Sequence, residues 1–388
     1  MFLSTDQVVR MTEESLRGFL SLAIKELYYL DYKVAPSGKS DKDAKREFLK
    51  DISPFANAAG GDLIIGAKEP ADGLSVDDRL VGVSCGEDLA KSLERVAAAS
   101  IDPRIPGLQV VPVVLKTRTG YSCIIAHVPP SMSRPHMVNH EGHRSFYIRH
   151  TESSVAMSTH EIRESVLTAA SAEARARHFI QNRLDELRSN ESSGGYPLLF
   201  LQAMPLIAPE SQWDILSTEL ISMMSGHDRY QGYVRFSLST NDVRPTIDGL
   251  RGRGSEGQAS FETELHRNGY LSLLIRVPKD ELPNSARTQA HVFYHSYQEV
   301  FRVFAEMLEH AWRITGTDVP YLIKCLCLNA RGMHMRTQTT ITHISLPFEK
   351  QDLVWPEHLR ATGEKPMPIA DAMFLELYNA FGFSKIVA

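Results

Sequence analysis

Helical and strand periodicities alternate along the first 150 residues of the chain, and this alternation restricts the fold more than any other feature. Residues 12 to 25 (TEESLRGFLSLAIK) have apolar residues at helical spacing, with Thr12 as an N-cap. LYYLDYKV then changes to strand period, residues 41 to 58 return to helical period, and GGDLIIGAKE predicts an apolar strand. The elements that follow are a helix at 87 to 99 and strands at 108 to 116, 121 to 128 and 145 to 149. The pattern predicts an α/β domain.

A long helix and a linker separate this domain from the rest of the chain. Residues 158 to 188 are rich in Ala, Arg and Glu, with Ser158 or Thr159 as the cap and Glu161 placed for a capping box. NESSGGYP, at 190 to 197, is polar and rich in glycine, as linkers are. The predicted organisation is an N-terminal domain over 1 to 165, a connecting helix over 158 to 190, and a C-terminal domain over 196 to 388.

The C-terminal half predicts a second α/β (α+β) domain, with a role in sensing a signal or in assembly. Its sharpest local signal is Asn268-Gly269 between two runs of strand character, because this dipeptide accepts the positive φ angles of a two-residue hairpin. The further elements are a long amphipathic helix at 291 to 314 and strands at 321 to 328 and 339 to 346. Cys325 and Cys327 alternate with Leu326 in an apolar strand, which predicts two buried thiols and no metal site.

Composition excludes several classes of protein. No stretch approaches the roughly 18 consecutive apolar residues of a membrane span, and the N-terminus lacks the features of a secretory signal. We therefore expect a cytoplasmic chain with no membrane partner. Its four cysteines are too few and too scattered for a disulfide framework. A net charge of −5 argues against a globally basic nucleic-acid binder but is compatible with a local basic groove.

The segment APSGKSD contains Gly-Lys-Ser but does not fit a phosphate-binding loop. Such a loop needs a glycine five positions before Gly38, where this chain has Lys33, and it must run from a strand directly into a helix. Nucleotide hydrolysis of that type is therefore disfavoured. We interpret Gly60-Gly61 as scaffold that lets two backbone segments come close, with Asn57 anchoring the turn.

Charged side chains gather around LYYLDYKV. Asp31 and Lys33 are two residues apart, so on a strand they point to one face, and Glu26 precedes the strand closely enough to reach that face. Carboxylates gathered at one place repel one another unless a divalent cation neutralises them, and Lys33 is suited to stabilise negative charge on a phosphate. A surface Asp–Lys pair on an edge strand is the alternative interpretation.

Four segments resemble, in this order, the AlbA-type domain of the Schlafen family: KELYYLDYK, FANAAGGDLIIGAKE, VPPSMSRPH and SFYIRHTESSVAMSTHEI. The resemblance covers roughly residues 12 to 165. It implies a mixed sheet with flanking helices and, from Schlafens with nuclease activity, a metal-dependent endoribonuclease acting on tRNA-like or structured RNA. Bacterial relatives suggest a role in anti-phage defence. The alternative is a non-catalytic nucleic-acid-binding regulator, since many bacterial proteins with this domain are described only as DNA-binding or ATP-binding.

The resemblance also implies a site of three acids that bind Mg²⁺ or Mn²⁺. The family pattern Glu-x4-Glu-Phe-Lys appears here as Glu26, Asp31, Tyr32 and Lys33, and the third acid falls on Glu69 in GAKEP. Asp31 stands where Glu is usual, and Glu69 where Asp is usual. Each exchange keeps the charge but moves the carboxylate by one methylene, which puts the catalytic geometry in question.

A basic groove for the RNA backbone is expected from four cations, Lys39, Arg134, Arg144 and Arg149. The nearby histidines at 136, 140, 143 and 150 have no paired cysteine at zinc-ligand spacing, so we interpret them as solvated loop residues.

A homodimer or higher oligomer is expected, because the chain carries one copy of the motif set and a single domain offers only one wall of a groove. The two long helices predicted at 158 to 188 and 291 to 314 are the expected interface.

Overall fold

The computed structural model describes residues 3, 5–26, 29–36, 41–150, 153–190, 197–207, 213–225, 242–256, 259–276, 279–280, 289–315, 318–336 and 345–383. The chain divides into two compact units, one of residues 1–172 with 316–320 and one of 173–315 with 321–388. The division falls inside the long helix, which is continuous from Thr159 to Asn190. The linker prediction placed the boundary after this helix, at 190–197, where residues 191–196 lie outside the described part of the chain.

The first unit contains the predicted alternation of helices and strands. Its helices are α1 (Thr5–Val9), α2 (Glu13–Ser21), α3 (Asp41–Asn57), α4 (Val76–Arg79), α5 (Gly86–Ser100) and the start of α6 (Thr159–Asn190). Its strands are β1 (Leu30–Lys33), β2 (Gly61–Ile65), β3 (Val83–Ser84), β4 (Ile101–Asp102), β5 (Gln109–Val114), β6 (Tyr121–Val128), β7 (Met137–His140), β8 (His143–His150) and β9 (Ser153–Ala156).

The strands of the first unit form two sheets within the described residues. The larger has the order β1-β2-β6-β3, with β5 also paired to β6, and it is mixed because β1 and β2 are parallel while the other pairs are antiparallel. The smaller has the order β4-β7-β8-β9 and is antiparallel. The α/β fold with a mixed sheet and flanking helices is confirmed.

Alternation along β1 and β2 separates two cores on the faces of the larger sheet. Leu30 and Tyr32 pack with Ile64 in the core on one face, together with residues of α1 and α2. Leu63 and Ile65 pack with α3 and α5 on the other. Because side chains alternate along a strand, Asp31 and Lys33 point to the face that α3 covers. The predicted common face of these two residues is therefore confirmed.

The junction between α3 and β2 brings backbone segments into close contact, as expected for Gly60-Gly61. A Cβ on Gly61 would lie 2.5 Å from a ring carbon of Phe55, so any larger residue would clash. Asn57, at the end of α3, donates to the carbonyl oxygens of His136 (3.0 Å) and Tyr147 (2.9 Å). These bonds tie α3 to the smaller sheet and confirm Asn57 as an anchor.

The second unit is built on an antiparallel sheet of order β11-β12-β13-β14-β10-β17-β19, with β20 also paired to β17. Its helices are α7 (Thr218–Ser225), α8 (Tyr294–Thr315) and α9 (Met367–Ala380). Its strands are β10 (Leu198–Pro205), β11 (Asp242–Pro245), β12 (Gly249–Glu256), β13 (Ala259–His266), β14 (Leu271–Arg276), β15 (Lys279–Asp280), β16 (Gln289–Phe293), β17 (Tyr321–Leu328), β18 (His334–Arg336), β19 (Leu353–Val354) and β20 (His358–Arg360). This antiparallel sheet with separate helices confirms the expected α+β character.

A hairpin joins β13 to β14 at the predicted place, but the two-residue turn is wrong: Gly269 N–H donates to His266 O (3.0 Å), and of the predicted pair only Gly269 has a positive φ, at +84°. Cys325 and Cys327 are buried in β17, as predicted. Most of the strand predicted at 339 to 346 lies outside the described residues. No helix in the described ranges combines the length and the apolar character that crossing a membrane requires.

Candidate functional site

The candidate site lies on the face of the larger sheet that α3 covers, at the edge strand β1. Lys33 Nζ donates to both carboxylate oxygens of Asp31, at 3.0 and 2.9 Å. The Asp31 side chain is 5% exposed and that of Lys33 is 29% exposed. The carboxylate of the pair is therefore buried, whereas the lysine side chain reaches solvent. The alternative interpretation, a surface Asp–Lys pair on an edge strand, does not fit because the Asp31 carboxylate is buried.

Arg149 approaches the same carboxylate from β8. Its Nη1 lies 3.1 Å from Asp31 Oδ2, and its side chain is 2% exposed. The guanidinium stacks over the Phe55 ring at 5.2 Å, while Nε and Nη2 have no hydrogen-bond partner within the described ranges. Burial acts to raise the pKa of Asp31, but hydrogen bonds from Glu26 and Lys33 and the nearby positive charges outweigh it, so the pKa is lowered. Asp31 is therefore held as an anion.

Glu26 completes the pair of carboxyl groups. The Tyr32 hydroxyl donates to Ile24 O (2.9 Å) and the Tyr32 N–H donates to Glu26 Oε1 (3.2 Å), which ties Ile24 and Glu26 to β1. Burial, a hydrogen bond with Asp31 and the negative charge of Asp31 raise the pKa of Glu26 to about 7. Glu26 can therefore hold or release a proton near neutral pH.

Asp51 is a further acid near this site that the sequence interpretation missed. It lies on α3, and burial, followed by the charges of Asp31 and Glu47, raises the pKa of Asp51 to about 6 against the opposing charge of Lys33. Helical spacing could have identified Asp51, because it lies four residues before Phe55 and therefore on the same face of α3. Phe55 is one of the residues through which α3 packs on the sheet.

The structure does not gather Glu69 with Asp31 as predicted. Glu69 is exposed, and its carboxylate accepts a hydrogen bond from the backbone N–H of Glu26 (3.1 Å). The N–H of Lys68 donates to Arg79 O (2.9 Å), which draws the chain beyond β2 toward α4. Among the described residues, no group of three or more His, Cys, Asp or Glu is placed to hold a metal ion. The predicted three-carboxylate cage is therefore absent from the described structure.

Two other acids, Asp62 at the start of β2 and Asp72 beyond its end, do not replace Glu69. Asp62 pairs in register with Leu30, so it points to the face opposite Asp31, and it bonds there to His127 Nδ1 (2.8 Å) and to the N–H of Leu3 (2.7 Å). Asp72 is exposed.

Of the four cations predicted to form a basic groove, Arg149 is wrong and Lys39 is untested. Arg149 is buried in its pair with Asp31 and is not available to an RNA backbone. Arg134 is half-buried and donates to Ala58 O (3.1 Å), whereas Arg144 is exposed beside Asn139. Lys39 lies outside the described residues.

The interpretation of the histidines as solvated loop residues is wrong for His136. This residue is fully buried between Pro103 O (2.7 Å) and Ser131 Oγ (2.8 Å), and burial lowers its pKa. His140 is bonded to Ser100 and His143 to Tyr147. Nothing is described for the side chain of His150.

The family resemblance implies a divalent cation, and the charges of the residues around Asp31 show whether they fit one. Glu26, Asp31 and Asp51 carry three carboxyl groups, and Lys33 and Arg149 carry two positive charges. Burial is the largest cause of the raised pKa values of Glu26 and Asp51, and the negative charge of Asp31 adds to it at both residues. Mg²⁺ is commonly held by one or two carboxylates together with water and substrate phosphate, and the adjacent carboxyl groups of Glu26 and Asp31 fit that arrangement.

The raised pKa of Glu26 predicts a pH-dependent stability. The folded chain binds more protons than the unfolded chain between the ordinary pKa of 4.5 and the raised pKa of about 7, so the free energy of unfolding should fall as pH rises through this window. Glu26→Gln removes this contribution and should be more stable than the wild type by about 1–2 kcal/mol at pH 8, after discounting for solvent, with little difference at pH 4.5.

Urea denaturation of both proteins at a series of pH values, with a chelator present, measures the difference in their free energies of unfolding. The contributions of the other titrating groups cancel in this difference because both proteins share them. Glu94→Gln, an exposed substitution on α5, is the matched control and should track the wild type. A Glu26→Gln curve parallel to the wild type across the window would contradict the prediction.

Residues 26–158 match the family model described as Schlafen, AlbA_2. The match lies in the N-terminal half, covers about a third of the chain, and includes Glu26, Asp31, Lys33 and Glu69. The resemblance found in the sequence is confirmed over this range, and the family is consistent with a function connected to nucleic acids. No curated protein matches the chain.

Proposed function

We propose that the Schlafen AlbA_2 domain of this chain is a divalent-metal-dependent endoribonuclease acting on tRNA-like or structured RNA. The observation that carries the proposal is the pair of adjacent carboxyl groups of Glu26 and Asp31 beside Lys33. A protein that only binds polyanions gains nothing from such acids next to its ligand, whereas metal-assisted phosphodiester cleavage requires them. The preference for RNA over DNA is supported by the family resemblance alone.

Each residue of the pair has a distinct part in this proposal. Asp31 remains ionised because Lys33 and Arg149 flank it. Glu26, with a pKa of about 7, can take a proton from an attacking group or return one to a leaving group. The partly exposed ammonium of Lys33 can stabilise negative charge on the phosphate. Mg²⁺ or Mn²⁺ held by Asp31 would supply Lewis acidity and an activated water. Where Glu26 also holds the metal, it would be an ionised ligand and would not exchange a proton.

The direct test is incubation of the full chain with total tRNA, and in parallel with single-stranded and duplex DNA, in Mg²⁺, in Mn²⁺ or with a chelator. We expect RNA fragments in either metal and intact RNA with the chelator. RNA that stays intact in both metals would overturn the proposal. Cleavage that persists with the chelator would overturn the proposed metal dependence. Equal cleavage of DNA would overturn the proposed restriction to RNA.

A second candidate is a nucleic-acid-binding regulator without catalysis. It is favoured by the fact that both carboxylate oxygens of Asp31 already accept hydrogen bonds from Lys33, with Arg149 bonded to one of them. A protein of this kind would shift RNA or DNA in a gel equally well with and without the chelator and would leave both intact.

A further inference from the structure

The first three turns of α6 lie on the surface of the protein. No residue from Thr159 to Ser171 is buried, and the buried stripe of the helix begins only at Ala172, continuing through Ala176 and Ile180. Two large apolar side chains of this stretch are well exposed, Val166 at 48% and Leu167 at 55%. A helix normally buries its large apolar side chains, so the exposure of Val166 and Leu167 is unusual.

A stripe of exposed residues runs along this surface at the spacing of a helix-pairing seam. Arg163, Val166, Ala170 and Glu173 follow one another at intervals of three, four and three residues, so they share one face of the helix. Arg163 has no ion-pair partner among the described residues. Glu173 is 42% exposed and pairs through Oε2 with Arg177 one turn later, and a carboxylate can accept a further bond.

The residues of this seam can pair with the same residues of a second, antiparallel helix, because a cation lies at one end and an acid at the other. If two copies of the helix lie antiparallel about a two-fold axis next to Thr168, Arg163 of each copy faces Glu173 of the other, because both are five residues from the axis. Val166 of each copy then faces Ala170 of the other, which gives two apolar contacts between two ion pairs. A two-fold interface requires this kind of self-complementarity.

We infer that the first half of α6 is the contact surface for a second copy of this chain, packed antiparallel through Arg163, Val166, Ala170 and Glu173. The charge pattern selects a copy of this chain over an unrelated partner, since the seam matches its own reverse. The other helix expected at an interface, α8, is not available in the same way, because its apolar residues, including Phe301, Leu308 and Trp312, are already buried in the second unit.

Light scattering on the full chain tests the interface. The interface is short, so we expect micromolar affinity and a mass that approaches twice 43.5 kDa at concentrations up to about 100 μM. Arg163→Glu places two acids together at each end of the seam, and Glu173→Arg places two arginines together. Each single variant should weaken the dimer by about tenfold or more, because two attractive pairs become repulsive.

Mixing the two single variants gives the decisive result. In a mixed dimer, the Arg163→Glu substitution of one copy faces the Glu173→Arg substitution of the other, which restores an attractive pair with its charges exchanged. At the other end of the seam the two unsubstituted residues, Glu173 and Arg163, face each other, so both pairs are attractive again. The mixture should recover the wild-type mass, which a purely structural role of either residue cannot produce.

Leu216→Lys, an exposed substitution in the second unit, is the control for these variants and should leave the dimer intact. A wild type that stays monomeric at the highest concentration, or a mixture that stays monomeric, would overturn the inference.

Discussion

Glu26→Gln should reduce metal-dependent RNA cleavage by about 10²–10⁴-fold, the range typical for loss of a positioned acid or base. Glutamine keeps the shape of the side chain, and its amide oxygen can still accept the hydrogen bond from Tyr32 N–H, so the start of β1 should remain in place. The variant cannot ionise and therefore supplies neither a proton acceptor nor an anionic metal ligand. Initial rates on tRNA in saturating Mg²⁺ or Mn²⁺ measure the effect.

Glu69→Gln is the informative comparison, because the family pattern and the structure disagree about this residue. The structure predicts a change of less than about tenfold, since the Glu69 carboxylate contacts only the backbone N–H of Glu26 among the bonds described for it. A loss equal to that of Glu26→Gln would show that Glu69 joins the site when RNA and metal bind. Full activity of Glu26→Gln would remove the basis of the proposed nuclease.

Asp31→Asn should destabilise the first unit by about 3–5 kcal/mol, because it leaves the guanidinium of Arg149 buried without its ionic partner. Two nitrogens of Arg149 already lack hydrogen-bond partners in the part of the chain that the structure describes, so the loss of Asp31 removes the main compensation for burying this charge. The double variant Asp31→Asn/Arg149→Met should recover part of the loss, since no uncompensated charge remains buried. Chemical denaturation followed by a probe in the first unit measures both effects.

The exposed pair Arg17–Asp77 provides the control for this measurement. Its side chains are 27% and 80% exposed, so Asp77→Asn should change stability by less than about 1 kcal/mol. If Asp31→Asn were no more destabilising than Asp77→Asn, the buried pair would not have the role assigned to it. The expected instability also means that inactivity of Asp31→Asn alone cannot identify a catalytic residue, which makes Glu26→Gln the cleaner test.

Local periodicity was sufficient to predict several main elements and some of the site, although β7, β10, β11 and β12 were not predicted. A strand places every second side chain on one face, so Asp31 and Lys33 were correctly assigned to a common face before any tertiary contact was known. The position of the hairpin at Asn268-Gly269 was predictable for a similar reason, because glycine accepts the positive φ that Gly269 adopts there. These features depend on interactions between residues close together in the chain.

The partners of Asp31 could not be predicted in this way. Arg149 follows 118 positions later, and its sequence context marked it only as a cation on a strand, which led to the wrong prediction that it contacts RNA. Asp51 comes to the site because α3 packs across the sheet through Phe48, Ile52 and Phe55. Glu69 has the expected position along the chain, but it is exposed and its carboxylate bonds to the backbone N–H of Glu26.

The order of residues along the chain was therefore enough to specify the alternating elements, the long helix, and the common face of Asp31 and Lys33, because each follows from the backbone geometry of a few neighbouring residues. Three properties emerged only from the packed fold: the burial of Asp31 between two cations, the raised pKa of Glu26, and the exposure of the first half of α6. They depend on burial and on charges brought together from distant parts of the chain, and no local pattern contains that information.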